Sequence, residues 1–271
     1  ILLDPIRFQI AAIAPHGRAA HGPSHCCGQD DISREKGVDA ASYKPLPRQA
    51  EAAMLQLTCQ RADLIDGQDI LELGCGWGSL TLWMATHYPK SRIIAVSNSH
   101  SQRHHIEHRC QTRGLTNVRV LTADANDLAA QSHEQIVEGA FDRVVSVEMF
   151  EHMRNWPALL ARIAEWLTPE GRLFLHVFCH RESPYLYEDR GPSDWMARHF
   201  FTGGIMPSAD LLLQFQDHMQ LEQRWSVDGD HYERTPARVR KVFTWGKWAV
   251  DDFELCGRRL TRPANGDVHL D

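Results

Sequence analysis

The sequence predicts an α/β fold: a doubly wound, mostly parallel sheet with a helical cap. Three observations predict it. Short apolar runs at Ile70–Leu73, Arg92–Ser97, Val118–Ala123, Phe141–Val147 and Arg172–Phe178 alternate with stretches of helical spacing, and strand–helix alternation at this interval builds an open parallel sheet. The runs are continuously apolar, as strands covered on both faces are. A glycine-rich turn, GCGWGS, follows the first run at once and opens a helix, at the edge where open α/β sheets bind ligands.

Taken in order, residues 1–48 are rich in Gly, Pro, Ser and Asp without a sustained period, and are expected to be irregular, with loops and short helices. From Gln49 the segment EAAMLQLTCQRADL has helical spacing at Met54, Leu55, Thr58 and Ala62 and ends at the Asp66-Gly67 turn signal. The helix LTLWMATHY follows the glycine-rich turn, and SQRHHIEHRCQTRG follows the second strand, with Gly114 as its C-cap. WPALLARIAEWL, apolar at Leu159, Leu160, Ile163 and Leu167, links the fourth and fifth strands and is expected to end in a Pro169–Gly171 turn. Residues 49–180 therefore form the core. Residues 181–271 supply the cap (two short helices around a Gly-Gly loop), a hairpin turning at Asp228-Gly229, and a shortened C-terminal helix.

Composition narrows the function classes. The chain has 271 residues, 43% hydrophobic and 24% charged, with a net charge of −6. A protein that grips nucleic acid or an anionic membrane by charge alone is not built this way. No apolar run reaches the ~18 residues that a membrane-spanning helix needs, and the start of the chain shows no basic leader or cleavage site, so no signal peptide is expected. Seven irregularly spaced cysteines (Cys26, Cys27, Cys59, Cys75, Cys110, Cys179 and Cys256) fit a reducing, cytoplasmic setting.

The strand ends carry the candidate cofactor site. Glu72, Gly74, Gly76 and Gly78 form an acid followed by G-x-G-x-G, not the G-x-x-x-x-G-K-S/T of a phosphate loop. The second strand ends in Ser97-Asn98, with Gln102 beyond, polar groups suited to ribose hydroxyls. The third ends at Asp124, a carboxylate suited to an adenine amino group. Each alone is also explained as a helix cap; three furnished strand ends in succession favour a nucleoside ligand.

On these residues the chain resembles a class I S-adenosylmethionine-dependent methyltransferase of Rossmann-like fold. ELGCGWG is similar to that family's first motif. GCGWGSLTLWMA, VSNSHSQ, VEMFEHMRNW and WMARHFFTGGIMPS resemble the branch of cyclopropane fatty acid synthases and coclaurine-type N-methyltransferases. The resemblance implies S-adenosyl-L-methionine as cofactor and S-adenosyl-L-homocysteine as product. Carried over, Gly74, Gly76 and Gly78 flank the methionine part, Ser97 and Gln102 the ribose, and Asp124 the adenine, with Glu72, Asn98, Ala125 and Val147 completing the cofactor set.

Methyl transfer from a sulfonium needs a nucleophile held in line and relieved of its proton. If a turn or helix starts after the fourth strand, Glu148, Glu151 and His152 stand at i, i+3 and i+4 on one face. Two carboxylates attract an ammonium and an imidazole accepts its proton near neutrality. The lipid-cyclopropanating relatives usually carry glycine where this chain has Glu148, and the alkaloid N-methyltransferases carry glutamate, so the resemblance favours an amine over a lipid alkene. Phe200 and Phe201 are candidates for an aromatic substrate wall beside the Gly203-Gly204 lid. Trp245 and Trp248, which match pocket positions of the relatives, are candidates for cation–π contact.

His100, His104 and His108 share a helix face but read as solvated, and no metal is expected; Cys179 reads as a buried thiol. The resemblance breaks at Ser24-His25-Cys26-Cys27, which lacks the relatives' tyrosine, and after Thr235, where their long helical insertion is missing. The expected function is an S-adenosylmethionine-dependent N-methyltransferase acting on a small cyclic or aromatic amine. The expected partners are that amine and a second copy in a homodimer, with no nucleic acid and no stable membrane insertion. The rivals are methylene transfer to a phospholipid alkene, with Glu151 and His152 holding bicarbonate, and a non-catalytic S-adenosylmethionine-binding protein.

Overall fold

The computed structural model describes residues 7–15, 47–130, 134–191, 197–198, 201–228, 254–255, 258–261 and 269–270. The five predicted runs are the strands β2 (Asp69–Leu73), β3 (Arg92–Ser97), β4 (Val118–Thr122), β5 (Phe141–Val147) and β6 (Leu167–Cys179), all parallel in the order β4-β3-β2-β5-β6. Helices α1 (Pro47–Arg61), α2 (Ser79–His87), α3 (His100–Arg113), α4 (Ala125–Ala130) and α5 (Trp156–Trp166) accompany them. Gly114 ends α3 in the left-handed region, at φ 67°, its N–H returning to the Cys110 and Gln111 carbonyls.

Period-2 alternation divides each buried strand between two helical layers. Leu71, Leu73, Val144, Leu173 and Leu175 pack with the Trp156, Leu159, Leu160, Ile163 and Trp166 face of α5. Ile70, Val145 and Phe174 pack against Cys59 of α1, Ala62 just after it, and Leu80, Met84 and Ala85 of α2. Burying one indole such as Trp156 contributes roughly 4–6 kcal/mol before conformational entropy is subtracted. Continuing the alternation puts Glu72, Val147 and His176 on the α1–α2 side.

Two expectations are corrected. Arg7–Pro15, expected to be irregular, is a strand, β1, lying antiparallel between β6 and β9 (Met219–Asp228) in a seven-stranded sheet. Its identity comes from this pairing with distant strands, which local composition does not report. Pro169–Gly171, expected as a turn after a helix, lies inside β6 as an irregularity: Phe141 pairs with Leu167, but Arg143 already pairs with Arg172.

Beyond β6, Tyr185–Leu186 (β7) and Ile205–Met206 (β8) form a two-stranded ribbon, and Leu211–Gln214 is a single 3₁₀ turn. Short strands at Glu254–Leu255, Arg258–Thr261 and His269–Leu270 (β10–β12) pair with one another. The expected partner strand after Asp228-Gly229, together with Phe200, Trp245, Trp248, Cys26 and Cys27, falls outside the described residues, while Glu254–Leu255, expected to continue the C-terminal helix, is the strand β10.

Candidate active site

The order β4-β3-β2-β5-β6 reverses direction between β2 and β5. The chain winds outward from β2 to β4, then returns to the other side of β2. Loops diverge at such a switch point and leave a crevice at the carboxyl edge. A cleft of about 720 Å³ opens there. Its floor is Glu72, Gly74, Gly76, Val147 and Glu148 from the ends of β2 and β5, and its outer wall is Met54, Leu55 and Thr58 of α1.

The three motif glycines do different jobs. Gly74 and Gly78, at φ 82° and 83°, have no room for a Cβ: it would lie 2.5 Å from Met149 Cγ in one case and 2.6 Å from Ile106 Cγ1 in the other. Gly76, at φ 52°, has no heavy atom within 4 Å of that position and faces open space. The turn itself is fixed by the Gly74 and Cys75 amides, which donate to the Val96 carbonyl at 3.1 and 2.9 Å. Glu72 is 4% exposed and accepts from Thr81 Oγ1 at 2.6 Å. Burial pushes its carboxyl up to about 8, against the opposing effect of the Thr81 bond.

Ser97, Asn98, Gln102, Asp124 and Ala125 stand at the ends of the next two strands. Ser97 is buried; its hydroxyl donates to Gln102 Oε1 at 2.5 Å and accepts from the Ser99 amide at 3.0 Å. Gln102 is thereby oriented, while Asn98 is exposed. Asp124 accepts from the Asn126 amide at 2.7 Å with one carboxylate oxygen, capping α4.

The Glu148–Glu151–His152 triplet departs from the single helical face expected of it. Glu148 precedes the turn in the left-handed region, at φ 52°, and only Phe150–His152 form a 3₁₀ turn. Trp156 Nε1 fastens that turn by donating to the Phe150 and Met153 carbonyls at 2.9 and 3.1 Å. The three side chains consequently meet different surroundings. Glu148 lines the cleft, its carboxyl raised by desolvation. Glu151 is fully buried, and its Oε1 accepts from the Phe178 amide at 2.7 Å. Burial drives it up to about 8, with Glu148 raising it further. His152 stacks on Phe201 with ring centroids 5.0 Å apart, and desolvation lowers its pKa below the usual histidine value. Phe201 itself is 5% exposed, inside a cluster with Phe178 and Met206.

Sequence reasoning passed over Thr58, Met54 and Glu51 of α1, which line the cleft, and His176 of β6. His176 is held down to about 4, by burial first and then by the Arg61 charge. The available signal was a histidine inside the apolar run RLFLHVF, two residues from Phe174. His100, His104 and His108 are exposed on α3, and Cys179 is buried.

Comparison with known proteins agrees with this fold. The family model described as mycolic acid cyclopropane synthetase matches residues 44–247. (S)-coclaurine N-methyltransferase of Thalictrum flavum subsp. glaucum is 42% identical over 189 residues, 69% of this chain and 50% of that protein. Cyclopropane-fatty-acyl-phospholipid synthase of Escherichia coli strain K12 is 31% identical over 188 residues, 69% of this chain and 44% of its own length. A crystal structure of coclaurine N-methyltransferase bound to N-methylheliamine and SAH superposes with a TM-score of 0.66 at 40% identity, covering 75% of this chain and 58% of that one. The chain spans about half the length of the curated relatives it matches. By motif, topology and these matches together, the chain belongs to the mycolic acid cyclopropane synthetase family.

Proposed function

We propose that this chain is an S-adenosylmethionine-dependent N-methyltransferase acting on a small cyclic or aromatic amine. The observation that carries the reading is the Glu148 carboxylate standing in the switch-point cleft. Its support from comparison is the 42% identity to (S)-coclaurine N-methyltransferase.

The cleft suits the cofactor. Gly76 leaves backbone open to a ligand, Ser97 pre-orients the Gln102 amide, and the Glu72 and Glu148 carboxyls line a site that a cationic ligand would enter. Gly76, Gln102 and Asp124 would hold it, and the sulfonium supplies an activated methyl group. Everything else falls to the protein. Glu148 draws the substrate ammonium in by its charge. The same cation favours ionisation of Glu151, which burial otherwise keeps in its acid form. The amine nitrogen cannot use its lone pair until it gives up a proton. His152, with a lowered pKa and therefore neutral at neutral pH, is the base that takes it. We assign the cap over this edge to the ribbon β7–β8 that follows β6, and place the enzyme in the cytoplasm, as a homodimer. Among the described residues no helix is long and apolar enough to cross a membrane.

The test is conversion of S-adenosylmethionine to S-adenosylhomocysteine with a panel of cyclic and linear amines, beside vesicles of unsaturated phospholipid. Turnover with amines, reduced about a hundredfold or more in His152→Ala, is the expected result for loss of a general base. Turnover with vesicles alone would transfer the case to lipid methylene transfer. Cofactor binding without product from either would favour a non-catalytic role.

A further inference from the structure

The turn Phe201–Gly204 presses on the segment that carries His152. The Phe201 ring stacks on the His152 imidazole with 29° between planes. The same ring stacks on Tyr187 at 4.8 Å and 16°, and meets Phe178 edge-on at 5.2 Å. At 5% exposure Phe201 has little surface to offer a substrate; its contacts are with the protein's own rings.

The glycines explain how the turn reaches this place. Gly203 sits at φ 77° with open space around it, so its backbone shape is what requires glycine. Gly204 is required for closeness: a Cβ there would stand 2.4 Å from the Glu151 carbonyl oxygen. The Gly204 amide donates to the Phe201 carbonyl at 2.8 Å, and the Tyr187 amide donates to the Gly204 carbonyl at 3.1 Å. The turn is thus closed on itself, tied to Tyr187 just after β7, and seated against the peptide joining Glu151 to His152.

An exposed imidazole on a two-bond stem rotates at little cost, while a base has to keep one lone pair aimed at one proton. A planar stack on an aromatic face favours one orientation, and misplacing a reacting group by about 1 Å can cost on the order of a hundredfold in rate. We propose that Phe201, stacked on His152 and backed by Tyr187, and Gly204, seated against the Glu151 carbonyl, are positioning residues that set the orientation of the His152 ring. This rests on the reading of His152 as the base. Planarity is the operative property, because an aliphatic side chain of similar bulk fills the space without offering a face.

The experiment compares Phe201→Leu, Phe201→Tyr and Gly204→Ala with the parent chain and with His152→Ala. Methyl transfer is measured to the amine that turns over fastest in the panel, together with S-adenosylhomocysteine affinity, melting temperature and the NMR signals of the His152 ring protons, assigned by their disappearance in His152→Ala. Phe201→Leu is expected to lower kcat at least tenfold, with the amine KM and cofactor affinity changed less than threefold and the His152 ring signals moved downfield by loss of the aromatic face. Phe201→Tyr should restore kcat and leave the signals in place. Gly204→Ala should lower kcat as Phe201→Leu does. Unmoved ring signals in Phe201→Leu, or equal kcat for the Leu and Tyr variants, would overturn the proposal. Full activity in His152→Ala would instead overturn the assignment of the base, and the ring signals would still decide whether Phe201 orients His152.

Discussion

Met149 occupies the space that a side chain on Gly74 would need: its Cγ and Cβ lie 2.5 and 2.6 Å from where a Cβ would be. The first glycine of the cofactor turn is therefore fixed by the segment after β5. Gly74→Ala is expected to destabilise the fold by roughly 2–4 kcal/mol through overpacking and a strained positive φ, and to abolish cofactor binding. Met149→Ala should fail to rescue it, because the Met149 Cβ itself is in the way. Urea unfolding of the single and double variants measures this, and rescue by Met149→Ala would refute the steric account.

Glu148 holds a left-handed backbone, at φ 52°, that glycine adopts freely. Glu148→Gly and Glu148→Ala should both lose amine methylation. They should separate in stability, with the glycine variant about 1 kcal/mol the more stable of the two because alanine retains the strain. Equal unfolding midpoints would show that the turn relaxes.

Glu72 links stability to pH. Its carboxyl is held up at about 8 in the folded chain, well above its ordinary value of 4.5. Between these values the folded state binds the extra proton, so the contribution of this group is fully present below about 4.5 and is lost as pH rises through about 8. Glu72→Gln stays neutral and can still accept from Thr81. The melting temperature of the parent should fall from pH 6 to pH 8.5 more steeply than that of Glu72→Gln; parallel slopes would count against this linkage.

Asp63 joins three elements at the opposite edge of the sheet. Its Oδ2 accepts from Arg143 Nη2 at 2.8 Å and from Arg172 Nη1 at 3.1 Å, and Arg143 is 6% exposed. Removing the carboxylate leaves a buried guanidinium with carbonyl partners alone. Asp63→Ala should cost about 2–4 kcal/mol. Asp63→Asn, which keeps an acceptor and tolerates the φ of 53°, should cost less. Denaturant unfolding that ranks the two in the opposite order would contradict this.

The parallel core was legible because burial on both faces writes itself into β2, β3 and β5 as short, predominantly apolar runs. The end of α3 was legible through Gly114, whose local geometry is decided within a few residues. β1 was not, since RFQIAAIAP becomes a strand by pairing with β6 and β9, a relation that no local window contains. At the site, the identities of Glu148, Glu151 and His152 could be read from sequence but their directions could not. Those depend on the positive φ of Glu148 and on the Trp156 indole that closes the next turn. The inward face of α1 was hidden for a related reason. Met54 looks like a core residue by period, yet it is 40% exposed and turned to the cleft.

The placement of β1 sets a timetable for synthesis. Both of its neighbours, β6 and β9, lie far downstream of Pro15. At about 5–20 residues per second, the ribosome takes on the order of ten seconds or more to deliver the first of them. Throughout that interval the nascent segment Arg7–Pro15 carries a row of backbone donors and acceptors with its future neighbours still unmade, the condition under which strands find wrong partners. Closure of this half of the sheet is thus a late event, made by a segment that leaves the tunnel well before either of its partners.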